Sequence, residues 1–273
     1  MIVATIARDS IDSPNMESND AMILDCVSRE LTSMGADVIR ISSPEEIPEN
    51  CDAVCHMSRN GETLKGLAQA EEKGVKVINS TKAVRNCSRL NFITILEENG
   101  IPQPRHTVVE NSEELKGLPF PAWIKRGDGW SCHKDDVCFA GNGEEAAAAM
   151  ARMKSRGIDR CIYTGHCNGD IIKFYGVGRE YFHHSYPDPG KSKFGLEKIN
   201  GAPKHHPFDI ETLKETAFRA AEAIGLQIYG GDCIITPEGE IFLIDINDFP
   251  SFSAVREEAA REIAKRTINI IQN

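Results

Sequence analysis

The sequence predicts an α/β protein built from about two domains. The chain has 273 residues, which is enough to bury more than one hydrophobic core. Short β-branched runs alternate with amphipathic stretches over residues 1–80, which is typical of a parallel sheet with helices on both faces. Beyond residue 106 the strand-like runs surround a glycine-containing loop, which indicates a second unit and an overall class of α/β (α+β).

Four strands and two helices are predicted in the first unit. Both helices stop at a glycine, Gly35 or Gly74, and glycine is the residue that most often ends a helix. The predicted strands are 2–6, 37–41, 53–57 and 75–78, and the predicted helices are 21–34 and 62–73.

The second unit begins with a predicted helix over 89–98, followed by an extended connector that contains Pro102 and Pro104. A polar loop is predicted from His183 to Pro207. The predicted strands are 107–109, 122–125, 137–140, 161–164 and 171–177, and the predicted helices are 144–154, 210–224 and 254–271.

The segment from Ile228 to Pro250 is predicted to form a β-hairpin. An apolar and β-branched arm precedes turn residues 237–240, and a second apolar arm follows them. We expect a two-residue tip at Glu238 and Gly239, which fixes the residues that face each other across the two strands.

This hairpin places acidic residues opposite each other. With that tip, Asp232 lies directly opposite Asp245, and Asn247 shares the face of Asp245 because strand side chains alternate. Opposed carboxylates destabilise a sheet, and a bound Mg²⁺ with oxygen ligands would remove the conflict. The alternative is that Asp245, Asn247 and Asp248 only end a strand before Pro250.

Composition argues against several classes of protein. A formal charge of -10 and a pI near 5.4 are unfavourable for a general nucleic-acid binder. The nine cysteines are irregularly spaced and form no C-x-x-C pair, which argues against zinc and disulfides and favours a reducing cytosol. Without a signal peptide or membrane span, we expect a soluble, cytoplasmic protein with no membrane partner, either monomer or homodimer.

Two basic regions stand out in this acidic chain. The loop from Lys125 to Lys134 combines cationic side chains with glycines whose N–H groups can approach phosphate, although such loops often bind nothing. The second region suggests a small-molecule substrate with a carboxylate or other anion, with a solvated loop as the alternative. Its members are Lys173, Arg179, His183, His184, Lys191, Lys193, Lys198, Lys204, His205 and His206.

Several common motifs are absent from the sequence. It contains no G-x-S-x-G elbow, no P-loop pattern and no glycine fingerprint after the first strand. No cysteine has an identifiable histidine partner, so a covalent enzyme intermediate is not expected.

The order of the motifs resembles the ATP-grasp superfamily along essentially the whole chain. It is most similar to the branch of ribosomal-protein-glutamate ligases and glutathione synthetases, and to the inositol trisphosphate kinase branch. The matching stretches are Val77-Ile78-Asn79-Ser80, Cys87-Ser88-Arg89, Gly100-Ile101-Pro102-Gln103-Pro104, Pro121-Ala122-Trp123-Ile124-Lys125, Asn168-Gly169-Asp170-Ile171-Ile172-Lys173, Gly231-Asp232 and Asp245-Ile246-Asn247 with Pro250.

The resemblance implies an ATP-grasp fold with an N-terminal Rossmann-like domain. We therefore expect a pre-ATP-grasp α/β domain over 1–80. Linker helices and the small lid subdomain would occupy 81–160, and the C-terminal subdomain with the metal hairpin would occupy 161–273.

The resemblance also implies a site for ATP. Arg89 falls where the family usually has a phosphate-binding lysine, and Lys125 matches a second phosphate-binding lysine. The hinge that holds adenine has no glutamate here, so backbone groups would read the base. The implied nucleotide residues are Arg89, Lys125, Gly127, Gly129, Ser131 and His133, with the hinge residues Tyr163 and Thr164 and a ribose contact from Asp170.

Metal and acceptor positions follow from the same resemblance. Asp232, Asp245 and Asn247 match the magnesium triad, which would hold two Mg²⁺ ions. Lys173 matches a basic position facing the acceptor. Two further residues have open alternatives: Ser251 would offer its N–H to an oxyanion or only cap a helix, and Arg256 would anchor substrate or only be an exposed helix residue.

The implied activity is that of an ATP-dependent carboxylate–amine ligase working through an acyl phosphate. A small-molecule kinase is the alternative enzyme, favoured by the string Asp-Ile-Asn-Asp-Phe-Pro, and a nucleotide-binding protein without turnover is a third possibility. Acceptor choice is expected to lie in residues 8–18, in residues 183–207 and after Pro250.

Overall fold

A computed structural model describes residues 1–187 and 196–273 of the chain. Its first unit is a parallel four-stranded sheet in the order β2-β1-β3-β4, as the alternating pattern predicted. Two helices pack on it, α1 (Glu17–Ser33) and α2 (Gly61–Glu72). The strands are β1 (Ile2–Ile6), β2 (Asp37–Ile41), β3 (Ala53–His56) and β4 (Lys76–Ile78).

Two departures from the prediction, one in a helix bound and one in an additional helix, have identifiable reasons. Helix α1 begins four residues earlier than expected, because its polar first turn resembles a loop although acidic residues there favour a helix N-terminus. A short helix, α3 (Thr81–Asn86), was not predicted, and the hydroxyl of Ser80 caps it by accepting the N–H of Ala83. Helix α4 (Arg89–Glu98) then follows as expected.

The small subdomain is an antiparallel sheet in the order β5-β8-β6-β7, covered by helix α5 (Gly143–Lys154). Strand β8 pairs with both β5 and β6, so this sheet reaches Gly165 and passes the expected boundary at residue 160. Its strands are β5 (His106–Val109), β6 (Ala122–Arg126), β7 (Val137–Ala140) and β8 (Cys161–Gly165).

The large subdomain is an antiparallel sheet in the order β10-β9-β11-β12, with helix α6 (Ile210–Ile224) packed against it. Strand β10 occupies the start of the predicted polar loop. That prediction was wrong there, because aromatic and histidine side chains suit a half-buried edge strand. The strands are β9 (Asp170–Val177), β10 (Tyr181–Ser185), β11 (Ile228–Ile235) and β12 (Ile241–Asp248).

The N-terminal unit and the large subdomain share a hydrophobic core. The last helix, α7 (Arg256–Gln272), packs against α1, and one buried cluster contains residues of α1, β11 and α7. The fully buried Asn79 reinforces this contact: its amide donates to the carbonyl of Ile228 at 2.7 Å and accepts the N–H groups of Gln227 and Ile228 at 2.7 and 2.9 Å.

The structure also bears on the membrane question. Within the described residues, no helix combines the length and the apolar character needed to cross a bilayer.

Candidate functional site

The hairpin brings the two predicted acids together. Asp232 pairs with Asp245 in the β11–β12 register, as the sequence predicted. The turn itself is wider than expected: Thr236 accepts the N–H of Gly239 and donates to Glu240, and Gly239 has φ +84°. A β-bulge beside Asp232 offsets the wider turn, because Cys233 pairs with Leu243 and Ile244 is the extra residue.

Strand β9 adds a cation to the acidic pair. Lys173 lies opposite Asp232 in the β9–β11 register, and its Nζ is 3.0 Å from Asp232 Oδ1. The adjacent carboxylate of Asp232 raises the pKa of Lys173. On the other side, the amide of Asn247 donates to Asp245 Oδ2 at 3.3 Å. The four side chains therefore form two hydrogen-bonded pairs, which lie side by side as one polar group on neighbouring strands.

The donor set of this group suits Mg²⁺. Two facing carboxylates and a neighbouring amide provide hard oxygen ligands, which is the chemistry that Mg²⁺ prefers. Among the described residues no three His, Cys, Asp or Glu side chains cluster closely enough to hold a metal, so an ion here would depend on the Asn247 amide or on ligand oxygens.

Two cavities meet at this polar group. One has a volume of about 250 Å³ and is called the apolar cavity, because Pro104, Trp123, Val137, Ile171 and Ile234 contribute to its walls. The other, of about 360 Å³, is called the arginine cavity, because Arg8, Arg59 and Arg89 line it. The residues common to both walls are Arg89, Ser131, Lys173, Asp232 and Asp245.

The predicted phosphate-binding residues Arg89 and Lys125 both line the apolar cavity. Arg89 donates to the hydroxyl of Ser131 at 2.5 Å, and its Nη1 is buried without a hydrogen-bond partner in the part of the chain that the structure describes. Lys125 Nζ lies 3.4 Å from the carbonyl of the bulge residue Ile244. Burial, followed by repulsion from Arg89, lowers the pKa of Lys125 to about 8. Two crowded cations without a full set of acceptors favour an anionic ligand at this end.

The predicted nucleotide residues at 127–133 belong to one loop, which is called the lid loop. Some of its residues line the cavities, and others stabilise the loop itself. Gly129 lines the arginine cavity, and Ser131 lines both cavities. Gly127 lies outside them, because its N–H bonds to the carbonyl of Arg160 and a Cβ would meet that oxygen at 2.8 Å. His133 caps a short 3₁₀ turn by accepting the N–H of Asp135.

The structure brings one of the two predicted hinge residues to the cleft. Thr164 lines the apolar cavity. The side chain of Tyr163 points instead into the core of the small subdomain, where its hydroxyl donates to Pro119 and its ring meets Phe120 edge-on. The backbone of Tyr163 lies in a strand paired on both sides, so the structure does not bring Tyr163 to the cleft.

Asp170 has a structural role in place of the expected ribose contact. It is 3% exposed, and its two carboxylate oxygens accept the N–H groups of Lys204 and His206 at 2.6 and 2.7 Å. These hydrogen bonds outweigh the effect of burial and lower the pKa of Asp170. The local sequence around a strand-opening Asp does not reveal partners that lie more than thirty residues away.

Of the two candidate residues after the hairpin, Ser251 lies at the cleft and Arg256 does not. Ser251 is 9% exposed and lines the arginine cavity, so the structure brings it to the cleft. Arg256 opens α7 but reaches α1, where it donates to Asn19 Oδ1 at 2.9 Å. Arg256 is absent from the walls of both cavities, so the structure does not bring it to the site.

The second basic region contributes little beyond Lys173. Arg179 pairs with Glu215 and lies over the ring of Phe218. Lys191 and Lys193 lie outside the described residues. The expected acceptor segment at residues 8–18 does reach the site, because Arg8, Asp12, Ser13 and Met16 line the arginine cavity.

Sequence reasoning missed Arg59 and Trp130, and it gave Arg8 no specific role. Arg8 follows β1 and Arg59 follows β3, so both leave the carboxyl edge of the parallel sheet, where ligands of open α/β sheets bind. That rule could have found both arginines. Trp130 in the lid loop carried no comparable signal.

Comparison with known proteins bears on the fold. No protein-family model matches the chain. The chain is 23% identical over 237 residues to a probable alpha-L-glutamate ligase of Picosynechococcus sp., and the match covers 82% of this chain and 77% of that protein.

Solved structures resemble the chain over nearly its whole length. A RimK domain ATP-grasp protein of Sphaerobacter thermophilus superposes with a TM-score of 0.71 at 16% identity, covering 98% of this chain and 100% of the other. The VanG D-Ala:D-Ser ligase of Enterococcus faecalis gives 0.73 at 14% identity, covering 99% of each chain. The D-alanine–D-alanine ligase of Bacillus anthracis gives 0.72 at 13% identity, covering 100% and 99%. The chain therefore has the ATP-grasp fold, as the order of its sequence motifs indicated.

Proposed function

We propose that this chain is an ATP- and Mg²⁺-dependent carboxylate–amine ligase that acts on a small anionic substrate. The observation that carries the proposal is the meeting of two cavities at Asp232, Asp245 and Lys173. A group transferred between two ligands must lie where their binding sites touch. The similarity to a probable glutamate ligase and to D-Ala ligases supports this choice of reaction.

The apolar cavity suits a nucleotide. Trp123 and the aliphatic side chains of Ile171 and Ile234 offer flat apolar surface to a base, and Arg89 with Lys125 offers positive charge to its phosphates. The base would rest beside Thr164, and the phosphates would point towards Asp232 and Asp245. The arginine cavity would then hold the acceptor.

The metal would be held by Asp232, Asp245 and Asn247. Two Mg²⁺ ions held there would supply positive charge that offsets the phosphate charge during phosphoryl transfer. The protein's own cations act beside them: Lys173 lies next to Asp232, and Arg89 lies in the wall between the cavities.

The reaction that this arrangement supports has two steps. A carboxylate oxygen of the acceptor attacks the γ-phosphorus of ATP. The bond between this phosphorus and the oxygen that bridges it to the β-phosphate breaks, so ADP leaves and an acyl phosphate is formed. An amine then attacks the acyl carbon, loses a proton and expels inorganic phosphate, leaving an amide. Lys173 balances negative charge on the transferred group, and the backbone N–H of Ser251 stabilises the oxyanion of the second step.

ADP formation tests the proposal directly. The protein, ATP and Mg²⁺ are incubated with a panel of carboxylates and amines, each alone and in pairs. ADP release that requires both a carboxylate and an amine, with an amide product by mass spectrometry, is the expected result. A stable phosphorylated alcohol would identify a kinase, and nucleotide binding without ADP formation from any pair would contradict both enzymes.

The pKa of Lys125 gives a pH test of the nucleotide site. Burial and Arg89 lower this pKa to about 8 in the ligand-free protein, whereas bound phosphates favour the charged amine and raise it. The amine of Lys125 therefore already carries its proton below pH 8, whereas above pH 8 it must take up a proton when the nucleotide binds. We expect ADP affinity to be constant up to about pH 8 and to fall about tenfold per pH unit above it.

Titration calorimetry at several pH values between 7 and 9.5 measures this dependence. Lys125→Arg is the matched control, because a guanidinium stays charged over the whole range. A flat profile for Lys125→Arg together with a falling profile for the natural protein is expected. An identical fall in both proteins would exclude Lys125 as the titrating contact.

A further inference from the structure

We propose that Arg8, Arg59 and Trp130 form the binding site for a carboxylate of the acceptor. This inference rests on the proposed function, since it assigns the acceptor to the arginine cavity. All three residues line that cavity. They come from three different segments: the loop after β1, the loop after β3 and the lid loop.

The guanidinium of Arg8 is held rigidly but not fully used. Its side chain is 5% exposed, and Nη2 donates to the carbonyls of Asp248 and Phe249 at 3.1 and 2.7 Å. Its Nε lies 3.3 Å from the carboxylate of Asp20. Within residues 1–187 and 196–273, Nη1 makes no hydrogen bond. Nε is buried and likewise lacks a hydrogen bond among the described residues, so two donor groups of this guanidinium have no acceptor, and a ligand in the cavity would supply one.

Arg59, like Arg8, is nearly buried and is held by Asp248. Its side chain is 6% exposed, its Nε donates to Asp248 Oδ1 at 2.8 Å, and its Nη2 lies 2.7 Å from the same oxygen. Nη2 also donates to Asn247 Oδ1 at 3.3 Å, whereas Nη1 bonds to no described residue. Asp248 thus fixes both arginines while one edge of each remains available.

Trp130 supplies a third donor from the lid loop. The guanidinium carbon of Arg59 lies 5.0 Å from the centre of the indole ring, which is a cation–π contact. The indole N–H is buried and has no hydrogen-bond partner among residues 1–187 and 196–273. A carboxylate that accepts from Arg8, Arg59 and this N–H would satisfy three donors that the protein leaves unpaired.

The charges around the site favour an anion over a neutral ligand. The guanidinium groups of Arg8 and Arg59 line one cavity and repel each other. Burial and the charge of Arg59 lower the pKa of Arg8, whereas the burial of Arg59 is outweighed by Asp248, which raises the pKa of Arg59. Asp20 and Asp248 offset part of this repulsion, but each is already engaged: Asp20 accepts from Ser13 and pairs with Arg8. Asp12 lines the same cavity, so the opposite wall is acidic.

The lid loop would contact both ligands, the nucleotide on one side and the carboxylate on the other. Arg89 joins Ser131 of this loop to the nucleotide side, while Trp130 faces the acceptor side. A bound carboxylate would therefore hold the lid loop against the N-terminal unit.

The chain provides its own reporter for a test, because it has only two tryptophans, one in each cavity. In Trp123→Phe, Trp130 is the only tryptophan, and excitation at the long-wavelength edge of the indole band avoids the five tyrosines. We expect glutarate and L-glutamate to change its emission saturably, and the uncharged glutaramide to leave it unchanged. A response to neither carboxylate, or an equal response to glutaramide, would overturn the site.

Variants in the Trp123→Phe background assign the contacts. Arg8→Gln should weaken carboxylate binding by about tenfold or more while Mg–ADP affinity stays within about twofold. Arg59→Lys should weaken carboxylate binding by a similar factor, and only its carboxylate affinity is compared because Arg59 also contacts Asn247. Arg59→Lys keeps the charge beside Asp248, so it remains informative if Arg8→Gln fails to fold. Trp130→Phe is made in the natural protein and measured by calorimetry. It should weaken the binding of the carboxylate and leave the binding of Mg–ADP unchanged. Arg40→Gln, an exposed arginine paired with Asp25, is the control and should change nothing.

This test separates the two proposals. Unchanged carboxylate affinity in Arg8→Gln and Arg59→Lys would overturn the site, and the ligase would stand if ADP formation still requires a carboxylate and an amine. Carboxylate binding that depends on both arginines, without ADP formation from any pair, would support the site and overturn the ligase.

Discussion

Replacing Asp245 by Asn is expected to lower Mg²⁺-dependent ADP formation by about 10³-fold or more while the protein remains folded. The carboxylate faces Asp232 across β11 and β12 and accepts from the amide of Asn247. An amide at this position keeps the shape but removes the negative charge that Mg²⁺ requires. ADP formation at saturating ATP, measured over a range of Mg²⁺ concentrations, checks the prediction.

The stability of the same variant should stay within about 1 kcal/mol of that of the natural protein without metal. Asp245→Asn removes one of two opposed carboxylates, but it also removes a charge that offsets the buried cations Arg89 and Lys125, so the two effects on the free energy of unfolding partly cancel. Asp25→Asn, at an exposed ion pair, is the matched control and should change neither quantity. Full activity in Asp245→Asn would exclude this residue as a metal ligand.

Replacing Asn79 by Ala is expected to cost about 3 kcal/mol of unfolding free energy or more. Asn79 is 1% exposed, and its side chain makes three hydrogen bonds to the backbone of Gln227 and Ile228. Alanine would leave two N–H groups and one carbonyl unpaired at the contact between the N-terminal unit and the large subdomain. Urea unfolding followed by circular dichroism measures the loss.

Asn86→Ala is the control for this prediction. Asn86 makes one side-chain hydrogen bond, to the carbonyl of Ile224 at 3.0 Å, in a partly buried setting. We expect it to cost about 1 kcal/mol. Equal losses in the two variants would show that the three bonds of Asn79 do not reinforce this contact.

The sequence was most informative where the determining pattern is local. The alternation of strands and helices predicted the parallel sheet, and turn residues predicted the hairpin that pairs Asp232 with Asp245. Even there the turn was wider than expected, and a bulge at Ile244 kept the acids opposed. Turn type and bulge depend on backbone geometry that single residues specify weakly.

The parts that escaped prediction depend on contacts between distant segments. Arg8 and Arg59 converge on Asp248 across about 240 and 189 residues, and no local pattern records such a pairing. The same holds for Asp170, whose carboxylate is occupied by the backbone of Lys204 and His206. The direction of the Tyr163 side chain depends on the register of its strand. Since successive side chains alternate between the two faces of a sheet, a shift by one residue would move it from the core to the cleft.

The wall common to the apolar and arginine cavities has a thermodynamic consequence. Arg89, Lys173 and the two acids belong to both sites, so a ligand in one cavity changes the field that acts on a ligand in the other. Such coupling is reciprocal: the factor by which Mg–nucleotide alters acceptor affinity equals the factor by which acceptor alters nucleotide affinity. Measuring either factor therefore gives the other, and the order in which the two ligands arrive leaves their joint binding free energy unchanged.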